Sequence, residues 1–164
     1  MEKSLIARIG WFFEKIAILC LAVIATLIFI QIILRNLFSL AFVGFEEVAR
    51  LAHITMVFLL VPVLYREGMH VTIDIVLQKS PPAVRRLLTI FSTLLTAAYG
   101  LFFLFSEYQF MLKNATVPSP GLGIPNIVFF SGAYVGMTFL VLTAVEMLME
   151  QLKGRKDGGV HERV

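Results

Sequence analysis

Four stretches of the sequence contain no Lys, Arg, Asp or Glu and consist mostly of large apolar residues: 16–34, 51–65, 87–106 and 127–145. Three of them come close to the roughly 20 residues that an α-helix needs to cross the hydrocarbon core of a bilayer. The second is shorter and must take its remaining length from neighbouring residues. The alternation of apolar and polar residues that is typical of membrane β-barrels is missing, so all four are predicted to be helices, which satisfy their own backbone hydrogen bonds in lipid.

The pattern therefore predicts an all-α integral membrane protein with four transmembrane helices. We expect one membrane domain over residues 1–164, a polar tail over 151–164, and membrane spans at 14–36, 45–66, 86–111 and 125–149. Between the second and third helices, Gly68 allows the chain to turn, and Ile73, Val76 and Leu77 share one side of a short helix. This predicts a short amphipathic segment in the membrane interface before Pro81 and Pro82 start the next helix.

Composition excludes several classes of protein. The chain is 59% hydrophobic and only 15% charged, whereas soluble domains carry about 25% charged residues. A soluble globular domain and intrinsic disorder are both excluded by this balance. The single cysteine, Cys20, excludes an internal disulfide and a Cys-based zinc or iron–sulfur site built by this chain alone. A net charge of +3 is too small to indicate a nucleic-acid partner.

The basic residues predict the orientation, because cytoplasmic loops of membrane proteins carry an excess of Lys and Arg. If both termini lie on one side, 11 of the 14 basic residues lie there and 3 lie opposite (11 + 3 = 14). Both termini are therefore predicted to be cytoplasmic. The three basic residues on the other side are Arg35, Arg50 and Lys113.

Candidate chemistry is sparse. The middles of the four spans contain no ionisable residue of the kind that marks ion and proton pathways, and no paired carboxylates accompany a nucleophile or a metal cluster. His53 and His70 lie about 25 Å apart along one continuous helix, so they cannot bind the same haem iron. We predict no catalytic residue, no metal site and no cofactor.

A group of charged residues is expected at the non-cytoplasmic face. Glu46 and Glu47 lie four and three residues before Arg50, so each shares a helix face with it. Arg35 ends the first helix on the same side, and Glu107 approaches this side from the third. These residues either tie the helices together or dock a partner protein. In the fourth helix, Gly132 and Gly136 lie one turn apart, a spacing that lets a neighbouring backbone approach closely.

The motifs occur in an order that resembles a known family. They comprise Arg35-Asn36, Glu46-Glu47-x-Ala49-Arg50, Arg66-x-Gly68-x-His70-Val71-x-x-Asp74, Pro81-Pro82, and Pro118-Ser119-Pro120-Gly121-Leu122-Gly123-Ile124-Pro125. The chain resembles, over nearly its full length, the DctQ-like small membrane subunit of tripartite ATP-independent periplasmic (TRAP) transporters. Val135 departs from the pattern, since family members often have proline before the glycine matched by Gly136.

The resemblance implies a small scaffold subunit in a bacterial inner membrane, multi-pass and without enzymatic activity. Its implied partners are a large membrane subunit that carries an organic acid with sodium, a periplasmic substrate-binding protein, and membrane lipid. It also implies that one set of residues serves assembly or docking: Arg35, Glu46, Glu47, Arg50, Arg66, His70 and Asp74. The segment 119–125 would shape the periplasmic loop, with Ser119, Pro120, Gly123 and Pro125 as further assembly or docking residues.

Two other classes of membrane protein are also compatible with the sequence. One is a haem-binding membrane anchor of a respiratory oxidoreductase, in which His53 or His70 would bind haem together with a partner. The other is a small multidrug exporter, which would need an essential acid within the membrane. The sequence does not reveal which organic acid would be transported.

Overall fold

The computed structural model describes residues 5–68 and 81–152, which form four long α-helices. Each is long and apolar enough to cross a membrane, so the predicted all-α fold with four transmembrane helices is confirmed. The predicted interfacial segment after Gly68 and the tail from residue 153 onward lie outside the described residues. In chain order the helices are α1 (Leu5–Phe38), α2 (Val43–Arg66), α3 (Pro82–Asn114) and α4 (Asn126–Leu152).

The helices extend beyond the predicted membrane spans, most clearly in α1, which begins at Leu5 rather than near residue 14. Runs without charge mark only the part of a helix that lies in hydrocarbon, whereas a helix continues into the interface, where charged side chains reach water. At the start of α1, Ile6 and Ile9 pack against the core of the protein. This packing accounts for the additional turns.

The ends of the helices are marked by residues with restricted or unusual backbone angles. Gly68, at φ +70°, follows the last turn of α2, and Ser39, at φ 54°, follows α1. Pro82 begins α3, a position where its missing N–H is not needed. α1 and α3 end at the same side of the protein, which we call the loop end. We call the opposite side the tail end.

The helices pack in the spatial order α1, α2, α4, α3. α2 contacts α1 on one side and α4 on the other, and α3 packs mainly against α4. This arrangement is an open layer in which α1 and α3 form the two edges. α4 is the most buried of the four helices and α1 is the least buried.

The aromatic core lies where α1, α2 and α4 meet. Phe13, Leu59 and Phe139 are buried together, and Val63 packs against them. The rings of Phe13 and Phe139 meet edge to face, with centroids 5.0 Å apart and planes inclined at 72°. Such a pair contributes about 0.5–1.5 kcal/mol beyond the area that it buries.

Glycines allow the closest helix contacts. Gly136 faces the backbone carbonyl of Phe58 on α2 so directly that a side chain there would overlap it. A Cβ atom at Gly132 would lie 2.7 Å from Oγ1 of Thr55, also on α2. The absence of side chains at these two positions lets α2 and α4 approach each other closely.

This packing predicts the effect of Gly136→Leu. The added side chain must displace the backbone of α2, and overpacking a tight contact costs at least about 1–3 kcal/mol. The midpoint of thermal unfolding in detergent should fall. The matched control is Val135→Leu, because Val135 is 48% exposed on the same helix; equal midpoints for the two variants would contradict the close α2–α4 contact.

Candidate functional site

The loop between α3 and α4 is closed by its own backbone hydrogen bonds. Pro118 and Pro125 form an antiparallel bridge. Within this bridge, the N–H of Ser119 donates to the carbonyl of Ile124 at 2.9 Å, and the N–H of Gly123 donates to the carbonyl of Ser119 at 3.2 Å. Gly123 has φ +69°, a left-handed conformation that glycine adopts without steric cost. Residues 115–125 therefore form a compact loop with a defined shape.

The side chain of Glu47 binds this loop from the first turns of α2. The residue is only 4% exposed. It accepts hydrogen bonds from Ser119 Oγ at 2.7 Å, Gly121 N at 2.6 Å and Leu122 N at 2.8 Å. Hydrogen bonds to an ionised acceptor are about twice as strong as neutral ones. One carboxylate thus joins α2 to the segment that leads into α4.

Ser119 transmits this contact to the rest of the loop. Its hydroxyl donates to Glu47 and accepts a hydrogen bond from the N–H of Ile124 at 3.0 Å. Both the side chain and the backbone of Ser119 therefore hold the loop closed. The carboxylate of Glu47 fixes the position of the loop, and Ser119 fixes its internal shape.

The loop can approach α2 because Gly121 has no side chain. A Cβ atom there would lie 2.8 Å from Cγ1 of Val43 and 3.1 Å from Oε1 of Glu47. Glycine at this position brings its own N–H within hydrogen-bonding distance of the carboxylate. The site is near the N-terminus of α2, where the helix dipole favours a negative charge.

The neighbouring acid, Glu46, makes a different contact. Successive residues on a helix point about 100° apart, and the Glu46 carboxylate accepts a hydrogen bond at 2.9 Å from Nε2 of Gln31 on α1. Glu46 therefore links α2 to α1, while Glu47 links α2 to the loop. Arg35 and Arg50 lie at the same end of the protein with exposed side chains.

The structure brings together only some of the predicted assembly residues. Glu47, Ser119, Gly123 and Pro125 belong to one hydrogen-bonded unit, and Pro120 is exposed within its loop. Glu46 lies beside this unit. The remaining residues lie elsewhere: Arg66 at the tail end of α2, Gly132 and Gly136 between α2 and α4, and His70 and Asp74 outside the described residues.

Gln31 was not among the predicted residues, and Gly121 and Leu122 lay within the predicted loop segment 119–125 without a predicted contact to Glu47. Gly121 and Leu122 act through their backbone N–H groups, which carry no side-chain signature. The sequence signal for this contact was Ser119-Pro120-Gly121, which is typical of a tight turn. Such a turn can present consecutive N–H groups to an acidic side chain. Gln31 stood out as a lone amide in an otherwise apolar run of α1.

A second polar contact joins α3 and α4 at the tail end. The guanidinium of Arg86 donates to the backbone carbonyl of Gln151 at 3.2 Å, and Nε2 of Gln151 donates to Thr93 Oγ1 at 3.1 Å. These contacts fix the last turn of α4. Over residues 5–68 and 81–152, no group of three or more His, Cys, Asp or Glu side chains is placed to bind a metal ion. The geometry of these polar contacts indicates that they hold the helices and the loop together.

Comparison with known proteins relates the chain to one transporter family. The family model described as "Tripartite ATP-independent periplasmic transporters, DctQ component" matches residues 8–154, which include nearly all of the four helices. A provisionally named TRAP transporter small permease protein of Haemophilus influenzae is 21% identical over 144 residues. That alignment covers 88% of this chain and 87% of the relative.

Glu47→Ala should detach the loop from α2. The substitution removes the acceptor of three partly buried hydrogen bonds, and a hydrogen bond to a charged group contributes about 1.5–3 kcal/mol. We expect a lower unfolding midpoint in detergent and faster proteolytic cleavage within residues 115–125. Glu46→Ala is the control, since it removes one exposed hydrogen bond. Equal resistance of the loop to proteolysis in both variants would refute the role of Glu47.

Gly123→Ala should weaken the same loop through the backbone alone. No atom lies within 4 Å of a Cβ at this position, so the cost is that of a left-handed conformation, about 1–2 kcal/mol for alanine. Gly123→Asn should cost less, because asparagine tolerates this conformation better. The unfolding midpoints of the two variants are compared in detergent. Equal midpoints for the alanine and asparagine variants would contradict the assignment of backbone strain to Gly123.

Proposed function

Because the chain belongs to the DctQ family of TRAP transporters, we propose that it is the scaffold of a sodium-coupled importer of an organic acid. It is a TRAP transporter small permease subunit, a component of a transport system rather than an enzyme. Its family and its four apolar helices make it a multi-pass protein of the bacterial inner membrane. The family resemblance inferred from the sequence is confirmed.

One observation carries the proposal of a scaffold: the membrane segments are unbroken helices whose central parts contain no charged residue. Carriers commonly bind their substrates at the midplane, between interrupted helices or beside ionisable side chains. The described helices of this chain offer neither feature. The substrate pathway is therefore assigned to a partner, and this chain supports that partner.

The open layer suits such a supporting role. The edge helices α1 and α3 expose large apolar side chains along much of their length, including Phe29, Phe102 and Phe105. In a membrane these surfaces meet either lipid or another apolar protein. The proposed partner is the large membrane subunit, and the layer enlarges the apolar surface that anchors it in the bilayer.

The proposed docking contacts fall at both ends of the protein. At the loop end, the exposed residues Arg35, Arg50 and Pro120 offer contacts to the large subunit or to the periplasmic binding protein. Glu47 holds the loop in a fixed position on α2, which lowers the entropy lost when a partner binds. At the tail end, the proposed contact is that of Arg66. His70 and Asp74, which lie outside the described residues, are proposed as further contacts from the sequence alone.

Sodium coupling and an organic-acid substrate are inferred from the family resemblance. In that scheme the binding protein and the large subunit recognise the acid. This chain contributes assembly and docking.

Reconstitution into vesicles tests the function. Uptake of a radiolabelled C4-dicarboxylate or sialic acid is measured under an inward sodium gradient, with this chain alone, the large subunit alone, and both together with the binding protein. We expect substantial uptake only in the complete system. Gradient-driven uptake by this chain alone would overturn the scaffold role, and complete-system uptake that is independent of sodium would overturn the proposed coupling.

A further inference from the structure

Glu107 is a carboxyl group inside the layer that has no hydrogen-bonding partner among the described residues. The residue is 8% exposed, and its Oε2 atom is enclosed without a donor. It lies seven positions before the end of α3, about 10 Å along the helix. Burying a carboxylate without a partner is costly, so such a group indicates a missing donor.

The position of Glu107 on α3 shows which contact is incomplete. Thr93, Gly100 and Glu107 are spaced by seven residues, so they share one face of the helix, and all three are buried. Thr93 accepts a hydrogen bond from Gln151, and Gly100 packs against Val141, both on α4. α4 therefore complements the first two positions of this face and leaves the third without a polar partner.

The immediate neighbours of Glu107 along the helix are engaged in apolar contacts. The ring of Phe103, one turn earlier, lies 5.2 Å from that of Phe58 on α2. The ring of Phe110, one turn later, lies 5.4 Å from that of Phe130 on α4. These contacts provide no hydrogen-bond donor to the carboxylate between them.

No basic side chain of the described region is paired with Oε2 of Glu107. α4 contains no Lys or Arg between Asn126 and Leu152. On α3, Arg85 and Arg86 lie near the start of the helix, and Lys113 lies in its last turn with an exposed side chain. Arg50 on α2 lies about as far from the loop end as Glu107 does, but its side chain is exposed. Within the described residues, Glu107 is therefore left without a cation in contact.

We propose that Glu107 binds a basic side chain of the large membrane subunit, an inference that rests on the proposed function. An ammonium or guanidinium group supplies both the missing donors and the opposite charge, and hydrogen bonds between ionised groups are the strongest available there. Long Lys and Arg side chains reach polar sites from an apolar surface. The partner would also cover Phe105 and Tyr108, which are exposed beside Glu107.

The test is Glu107→Gln, which keeps the size of the side chain and removes its charge. The affinity-tagged variant is co-expressed with the large subunit, and recovery of that subunit and thermal dissociation of the purified complex are measured. The unfolding midpoint of the variant is also measured without the large subunit. Glu150→Gln is the matched control, because it neutralises an exposed carboxylate on α4.

We expect Glu107→Gln to weaken the complex by about tenfold or more, as when one member of a buried charge pair is neutralised. The variant alone should unfold at or above the wild-type temperature, because it removes the cost of an unpaired buried charge. Glu150→Gln should behave as wild type in both assays. An unchanged complex would overturn the proposal, as would equal destabilisation of the isolated variant and the complex, which would indicate a role within the chain. Absence of a complex with the wild-type chain would instead refute the proposed function itself.

Discussion

The close contact between α2 and α4 is the central contact of this protein, because each of the other two helices packs mainly against one member of that pair. Gly132 and Gly136 remove the side chains that would keep the pair apart. α1 then packs on α2, and α3 packs on α4. At the loop end, Glu47 reinforces the same pair by binding the segment that enters α4. A packing contact and a polar contact thus act on the same two helices.

The polar side chains are accommodated by rules that differ from those of a soluble protein. Within lipid, a hydroxyl group without a water partner bonds to its own helix. In this protein, threonines donate to the carbonyl four residues earlier: Thr26, Thr89, Thr93, Thr96, Thr138 and Thr143. Among the described residues, the buried side-chain oxygens without a hydrogen-bonding partner are Oε2 of Glu107 and Oε1 of Gln151.

The sequence was sufficient to predict the four helices, because an uncharged apolar run of this length has few other stable structures in a bilayer. The uncharged run does not mark where α1 begins, because the first turns of this helix pack against the core. The Gly132–Gly136 spacing identified a contact face but not its partner, since periodicity describes one helix at a time. The Glu47 contact escaped prediction because its donors are distant in sequence and two of them are backbone groups. The assembly roles of Arg35, Arg50 and the other proposed residues remain predictions.

The order of synthesis gives the Glu47 contact a further consequence. Glu47 precedes Ser119 by 72 residues. The ribosome therefore produces the acid long before the hydroxyl and amide groups that donate hydrogen bonds to it. During insertion the carboxylate must remain hydrated at the membrane surface while α3 crosses the bilayer. The loop end can therefore reach its final form only after the third crossing is complete, which makes its closure a late event in biogenesis.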